Sequence, residues 1–184
     1  MALPDFIGAT QGAAYVFGES TASDVTHALA LNGLASGSAR MSASADLGES
    51  FADEYLVYFR VETATGTAPT AGNTSELWLI SSNDNSNWPG FVTGADGSYP
   101  PSAQTSATLA QALPLLGPAA CVLVATPDAD KVMRQAPVIW RPRGRYVVAV
   151  VRNSLGVAFK TEATPASHDG RVLIIPRRVQ VTET

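Results

Sequence analysis

The chain has 184 residues, 46% of them hydrophobic and 15% charged, with a formal net charge of −4 at pH 7. That length suits one domain. The apolar content excludes a disordered chain, and the charge content lies well below the usual quarter. A single cysteine, Cys121, excludes an internal disulfide.

The first dozen residues, "MALPDFIGATQG", offer neither a basic n-region nor an apolar h-region, so no signal peptide is expected. The apolar runs fall short of the roughly 20 residues a membrane helix needs. The expectation is a protein without membrane contact, made and kept in a cytoplasm or assembled into something there.

Period-two alternation dominates the chain and predicts strands. "DVTHALAL" places Val25, His27, Leu29 and Leu31 on one side, which makes His27 a core histidine. "ARMSASADL" does the same for Ala39, Met41, Ala43, Ala45 and Leu47. "DEYLVYFRVE" sets Tyr55, Val57, Phe59 and Val61 against a second, partly apolar set, so this strand is expected to be central and covered on both faces. Further strands are predicted at Ser75–Ser81, Pro118–Ala125, Lys131–Trp140, Gly144–Asn153, Gly156–Glu162 and Arg171–Pro176. "RNSLG", Arg152 to Gly156, reads as a hairpin turn. One short helix is predicted over Thr105–Leu113, begun by a Thr or Ser cap and stopped by "PLLGP".

The expected fold is an all-β antiparallel β-sandwich, jelly-roll-like, with one short helix. It fills one domain over residues 1–184, with segments 1–12 and 177–184 available as extended arms.

Candidate chemistry is sparse. Cys121 sits in "AACVLVA" and reads as a small buried hydrophobe, not a nucleophile. Two histidines, His27 and His168, do not make a multi-histidine metal site, and "SHDG" reads as a turn before the last strand. No nucleophile elbow surrounds any serine. "NDNSN" begins like a calcium loop, but Trp88 and Gly94 stand where that pattern wants Gly and Glu. The expectation is no enzyme, no catalytic residue, no metal and no cofactor.

The stretch "SSNDNSNWPGFVTGADGSYP", Ser81 to Pro100, carries three aromatics in a turn-rich loop. Trp88, Phe91 and Tyr99 either fold back as a lid on an open end of the sandwich, anchor a partner, or stack on a sugar ring. Charge is also unevenly spread. Residues 1–130 carry 2 basic and 13 acidic side chains, whereas residues 131–184 carry 10 basic and 3 acidic. Either the halves interleave and neutralise each other, or a basic side meets an acidic neighbour. On the second reading Arg141, Arg143, Arg177 and Arg178 join Trp88, Phe91 and Tyr99 as candidate partner-interface residues. Overall acidity, without exposed aromatics among the basic residues, argues against nucleic acid.

The succession "GSARMSASADLG", "EYLVYFRVET", "PTAGNTSELWLI", "GFVTGADGSY", "LLGPAACVLVATPDADKVMRQAPVIWRPRGRYVVAVVRNSLGVAF" and "VLIIPRRVQV" resembles small virion structural proteins of tailed bacteriophages. The likeness runs from about Gly37 to Val181. It is a pattern of strands and turns rather than a catalytic signature. The resemblance implies a capsid decoration or cement protein located in the virion, present in many copies. Its expected partners are the major capsid protein or other virion proteins, and itself as a homo-oligomer. A tail, neck or baseplate component, or a carbohydrate-binding module for host attachment, is the alternative.

Overall fold

Four runs rich in Val, Ile, Leu and aromatics carry the two longest ladders, and short strands complete two sheets around them. A computed structural model describes residues 8–11, 13–64, 66–103, 107–128 and 131–180, with residues 8–11 and 178–180 described by backbone alone. The first seven strands are β1 (Gly8–Gln11), β2 (Tyr15–Gly18), β3 (His27–Ala28), β4 (Ala39–Met41), β5 (Ala45–Asp46), β6 (Glu54–Glu62) and β7 (Thr74–Ser82). Then come β8 (Gly97–Tyr99), helix α1 (Leu109–Ala112), β9 (Cys121–Val124), β10 (Val132–Arg134), β11 (Val138–Trp140), β12 (Tyr146–Ser154) and β13 (Arg171–Gln180).

Sheet A runs β10-β6-β13-β2-β3, with β11 also on β6 and β1 also on β13. Sheet B runs β8-β4-β12-β7-β9, with β5 also on β12. The pairs are antiparallel except β2 with β3. The chain is therefore an all-β sandwich. Residues 8–11 pair with 177–180 and lengthen sheet A. Residues 1–7 and 181–184 of the expected arms lie outside the described residues.

The inner faces meet in one apolar core. Tyr55, Val57, Phe59 and Val61 of β6, Phe17 of β2, and Val172 and Ile174 of β13 face Leu77, Leu79, Val147, Ala149, Val151, Cys121 and Leu123 of sheet B. Burial drives this packing, and the alternation of each strand delivers it.

A second apolar cluster lies on the outer face of sheet B. There Ala39, Met41, Trp78, Ile80, Tyr99, Val148 and Val150 are covered by Val92, Ala112, Leu113 and Leu116, with Trp88, Phe91 and Leu109 at its border. The aromatic loop is a lid, but it lies over a sheet face, not over an open end of the sandwich. This lid is why β7 and β12 are buried on both faces.

Strand β6 is not the doubly covered strand that its sequence predicts. Its outward residues Leu56, Tyr58 and Arg60 are only half-buried, because among the described residues no segment packs over them.

Two expected strands are interrupted by one-residue bulges. Met41 faces Val150 while Ala45 faces Val147, so one extra residue loops out between β4 and β5. The Ser42 hydroxyl repairs the ladder by accepting the Ala149 N–H at 3.0 Å. Likewise Arg134 faces Arg60 while Val138 faces Val57, and Pro137 separates β10 from β11. Around His27 only two residues pair as a strand, though Leu29 and Leu31 are fully buried. Gly156–Glu162 is not a strand, because Phe159 bridges Thr63 while its N–H bonds the Leu34 carbonyl. "RNSLG" turns, but no hairpin strand follows it. The predicted helix is shorter, Leu109–Ala112, then a 3-10 turn over Leu113–Leu116. Its cap is Thr108, whose N–H donates to Gln111 Oε1 at 2.9 Å. Thr105 and Ser106 lie outside the described residues.

Candidate functional site: an arginine-bordered sheet face

On sheet A the outward side chains fall into in-register rows that cross three strands. Arg134, Arg60 and Arg171 stand side by side on β10, β6 and β13. The next row holds Tyr58, Leu173 and Val16, and the one beyond holds Ile139, Leu56 and Ile175. Ile139 is 54% exposed, a high value for a large apolar side chain on a strand. The face ends at Glu54, held by Arg141 (Nε to Oε1, 3.1 Å) and by Arg177 (Nη1 to Oε2, 3.2 Å).

Between the first two rows lies a hollow of about 330 Å³, lined by Val16, Tyr58, Leu173 and the three arginines, with Asp24 and Gln135 at its border. Arg60 pairs with Asp169 at 3.0 Å. Arg171 is only 7% exposed. Its Nη1 donates to the carbonyls of His168 and Gly170, its Nη2 lies 3.6 Å from Asp24, and its Nε has no hydrogen-bond partner. Gly18 permits this arrangement, since a Cβ there would sit 2.7 Å from Arg171 Cδ.

Arg134 is exposed, with no carboxylate partner among the described residues. Among the described residues, three guanidinium groups against two carboxylates leave the row one positive charge in excess.

Elsewhere the two halves of the chain interleave and neutralise each other. Arg145 grips Asp46 with both arms at 2.7 and 2.6 Å, Arg152 meets Glu76 at 3.2 Å, and Lys160 meets the buried Glu62 at 2.7 Å. Asp46 is held down to about 2 by the Arg145 guanidinium, helped by the Gly48 N–H. Arg143 stands apart in the loop after β11, where its N–H donates to the Ser81 hydroxyl at 3.1 Å. The Arg178 side chain lies outside the described residues.

Of the aromatics singled out in the sequence, Tyr99 is unavailable to a partner: it is 3% exposed and its Oη donates to the Ala112 carbonyl at 3.0 Å. Trp88 and Phe91 border the lid half-buried, and Trp88 Nε1 donates to the Asn85 carbonyl at 3.2 Å. The aromatic lid and the Arg141–Arg177 pair occupy opposite outer faces of the sandwich, so they do not form one interface.

The suspected calcium loop closes on itself. The Asp84 carboxylate accepts the Asn87 and Ser86 N–H groups at 2.8 and 3.0 Å, which hold it well below the usual carboxylate range. Asp96 is clamped by Arg40 at 2.8 Å. Among the described residues, no three metal-ligating side chains cluster. Cys121 is buried, and burial pushes its thiol up to about 11. His27 is half-buried rather than sealed in the core, against Tyr15 and Phe17, and burial lowers its pKa.

A second exposed apolar strip lies at the sandwich edge, where Val122 and Val124 of β9 are 44% and 59% exposed beside β10. No helix among the described residues is long and apolar enough to cross a membrane.

No family model matches this chain, and neither the curated proteins nor the solved structures hold a match to it.

Proposed function

We propose that this chain is a non-enzymatic structural protein of a tailed-bacteriophage virion, a capsid decoration or cement protein that stabilises the shell by contact. The observation that carries the reading is the uncovered face of sheet A. It sets two apolar rows, including the exposed Ile139, between groups of arginines. Exposed apolar patches bordered by polar groups are characteristic of protein interaction sites.

Strand order supports the jelly-roll part of the reading. A jelly roll is a long antiparallel hairpin of eight strands wrapped into two sheets, so its first strand pairs with its eighth, its second with its seventh, and inward. Taking β2, β4, β6, β7, β9, β10, β12 and β13 as the eight, those pairs are β2–β13, β4–β12, β6–β10 and β7–β9. Each occurs. Jelly rolls build viral capsid proteins and lectins alike, so the fold alone does not choose. The choice rests on the open face and on the resemblance of strands and turns to small virion proteins.

In this reading the major capsid protein, other virion proteins or further copies of the chain cover the face. Each bound copy lowers the free energy of the assembled shell and not of the open one. The test is the number of copies per purified particle, by quantitative mass spectrometry against the major shell subunit. A simple ratio to that subunit is expected. A few per cent would move the chain to the tail, neck or baseplate, and absence from the particle would overturn the proposal.

A further inference from the structure

We propose that the outer face of sheet A is a docking groove for an extended partner segment. That segment carries one carboxylate and, two and four residues away, two apolar side chains. The inference rests on the contact-protein reading and names the chemistry of the partner.

Geometry sets the spacing. Same-face residues of a strand recur every second position, about 7 Å apart. The groove repeats at that interval: Arg134, Arg60 and Arg171, then Tyr58, Leu173 and Val16, then Ile139, Leu56 and Ile175. An extended segment lying along the strands has the same repeat. With its acidic side chain at the hollow, its second and fourth neighbours fall over the two apolar rows.

Charge selects the acidic residue. Like charges directly opposite on neighbouring strands repel. Here three arginines stand in one row, and among the described residues Asp169 and Asp24 answer two of them. A guanidinium's fork of N–H donors matches a carboxylate. Arg134 has no such partner among the described residues, and Arg171 keeps a buried Nε unanswered. The 330 Å³ hollow sits at the small end of ligand sites, which suits one anchoring side chain rather than a cofactor. Single-stranded nucleic acid wants aromatic platforms along a basic groove, whereas these rows offer one tyrosine and five aliphatic side chains.

The test uses the full chain, labelled with ¹⁵N and titrated while its amide spectrum is recorded. The probe is the blocked peptide acetyl-Glu-Thr-Leu-Thr-Val-Thr-amide. Its counterpart with Gln for Glu and a six-nucleotide oligothymidylate are titrated in parallel. Saturable shifts at the amides of Tyr58, Arg60, Arg134 and Leu173 are expected. The Gln peptide should bind at least ten-fold more weakly. Arg134→Gln should weaken the acidic peptide by a similar factor and Ile139→Ser by several-fold, both with unshifted spectra away from the face.

Equal binding of the two peptides would overturn the proposal, as would shifts centred on β9. Tighter binding of the oligothymidylate would reassign the face to nucleic acid. Self-association that moves these same amides, with no peptide response, would reassign it to a second copy. None of these outcomes changes the copy number per particle, so failure here is distinct from failure of the virion reading.

Discussion

Arg134 faces Arg60 directly where β10 pairs with β6, and among the described residues only Arg60 of the two has a carboxylate at hand. A like-charge pair at that position works against the fold. Arg134→Gln should therefore raise stability by on the order of a few tenths of a kcal/mol in low salt, measured by urea unfolding. The gain should shrink as salt screens the pair. A loss of stability would mean that Arg134 contributes to the fold rather than to the surface.

Gly18 and Arg171 should behave as a coupled pair. A methyl group at position 18 meets Arg171 Cδ at 2.7 Å, and that side chain is pinned at its far end by two carbonyls. Gly18→Ala should cost roughly 1–3 kcal/mol through overpacking. In an Arg171→Ala background the same substitution should cost far less, so a double-mutant cycle reads the contact directly. Additive losses would show that the glycine serves some other purpose.

The lid over sheet B is tied down by Tyr99. Its Oη donates to the Ala112 carbonyl, and Trp78 Nε1 donates to the Gly117 carbonyl at 3.0 Å. Tyr99→Phe should cost about 1 kcal/mol. Hydrogen exchange should quicken in residues 109–116 before it changes in β6 or β13. Uniform acceleration would show that the lid and the sandwich open together.

Acid should weaken the fold through His168. The ring is fully buried, and its Nδ1 accepts the Gly170 N–H at 3.1 Å. Burial lowers its pKa from 6.5; Arg171 adds to the lowering, while Glu19, Glu162 and Asp169 oppose it. Below 6.5 the unfolded chain takes up a proton that the folded chain refuses, so stability falls as pH drops from there toward the lowered native value. The melting temperature should decline across that window, and His168→Leu should remove most of the slope. An unchanged slope in the variant would assign the effect to His27 or to the carboxylates.

What could be read from the chain follows from where the information lies. Strands β6, β7 and β12 were legible because each is nine residues of strong β-formers, and strand type is a local property. The breaks at Ser42 and Pro137 were not, since a bulge is set by the partner strand's register. The arginine row was hidden for the same reason: Arg60, Arg134 and Arg171 are far apart in sequence and meet only through pairing. One signal in the sequence points away from what the fold shows. Leu56 and Tyr58, on the alternate face of β6, suggested a strand covered by its own protein. Among the described residues nothing covers them, and that open apolar face is what marks the site. The aromatics misled in the opposite sense, because a lid closing on its own sheet has the same composition as a loop that reaches for a partner.

The most direct test of the contact role is the heat tolerance of particles from which this chain has been omitted, measured as the temperature of genome release. Omission should lower that temperature, adding back the purified chain should restore it, and adding back Ile139→Asp should not. Particles that release their genome at the same temperature with and without the chain would contradict the account.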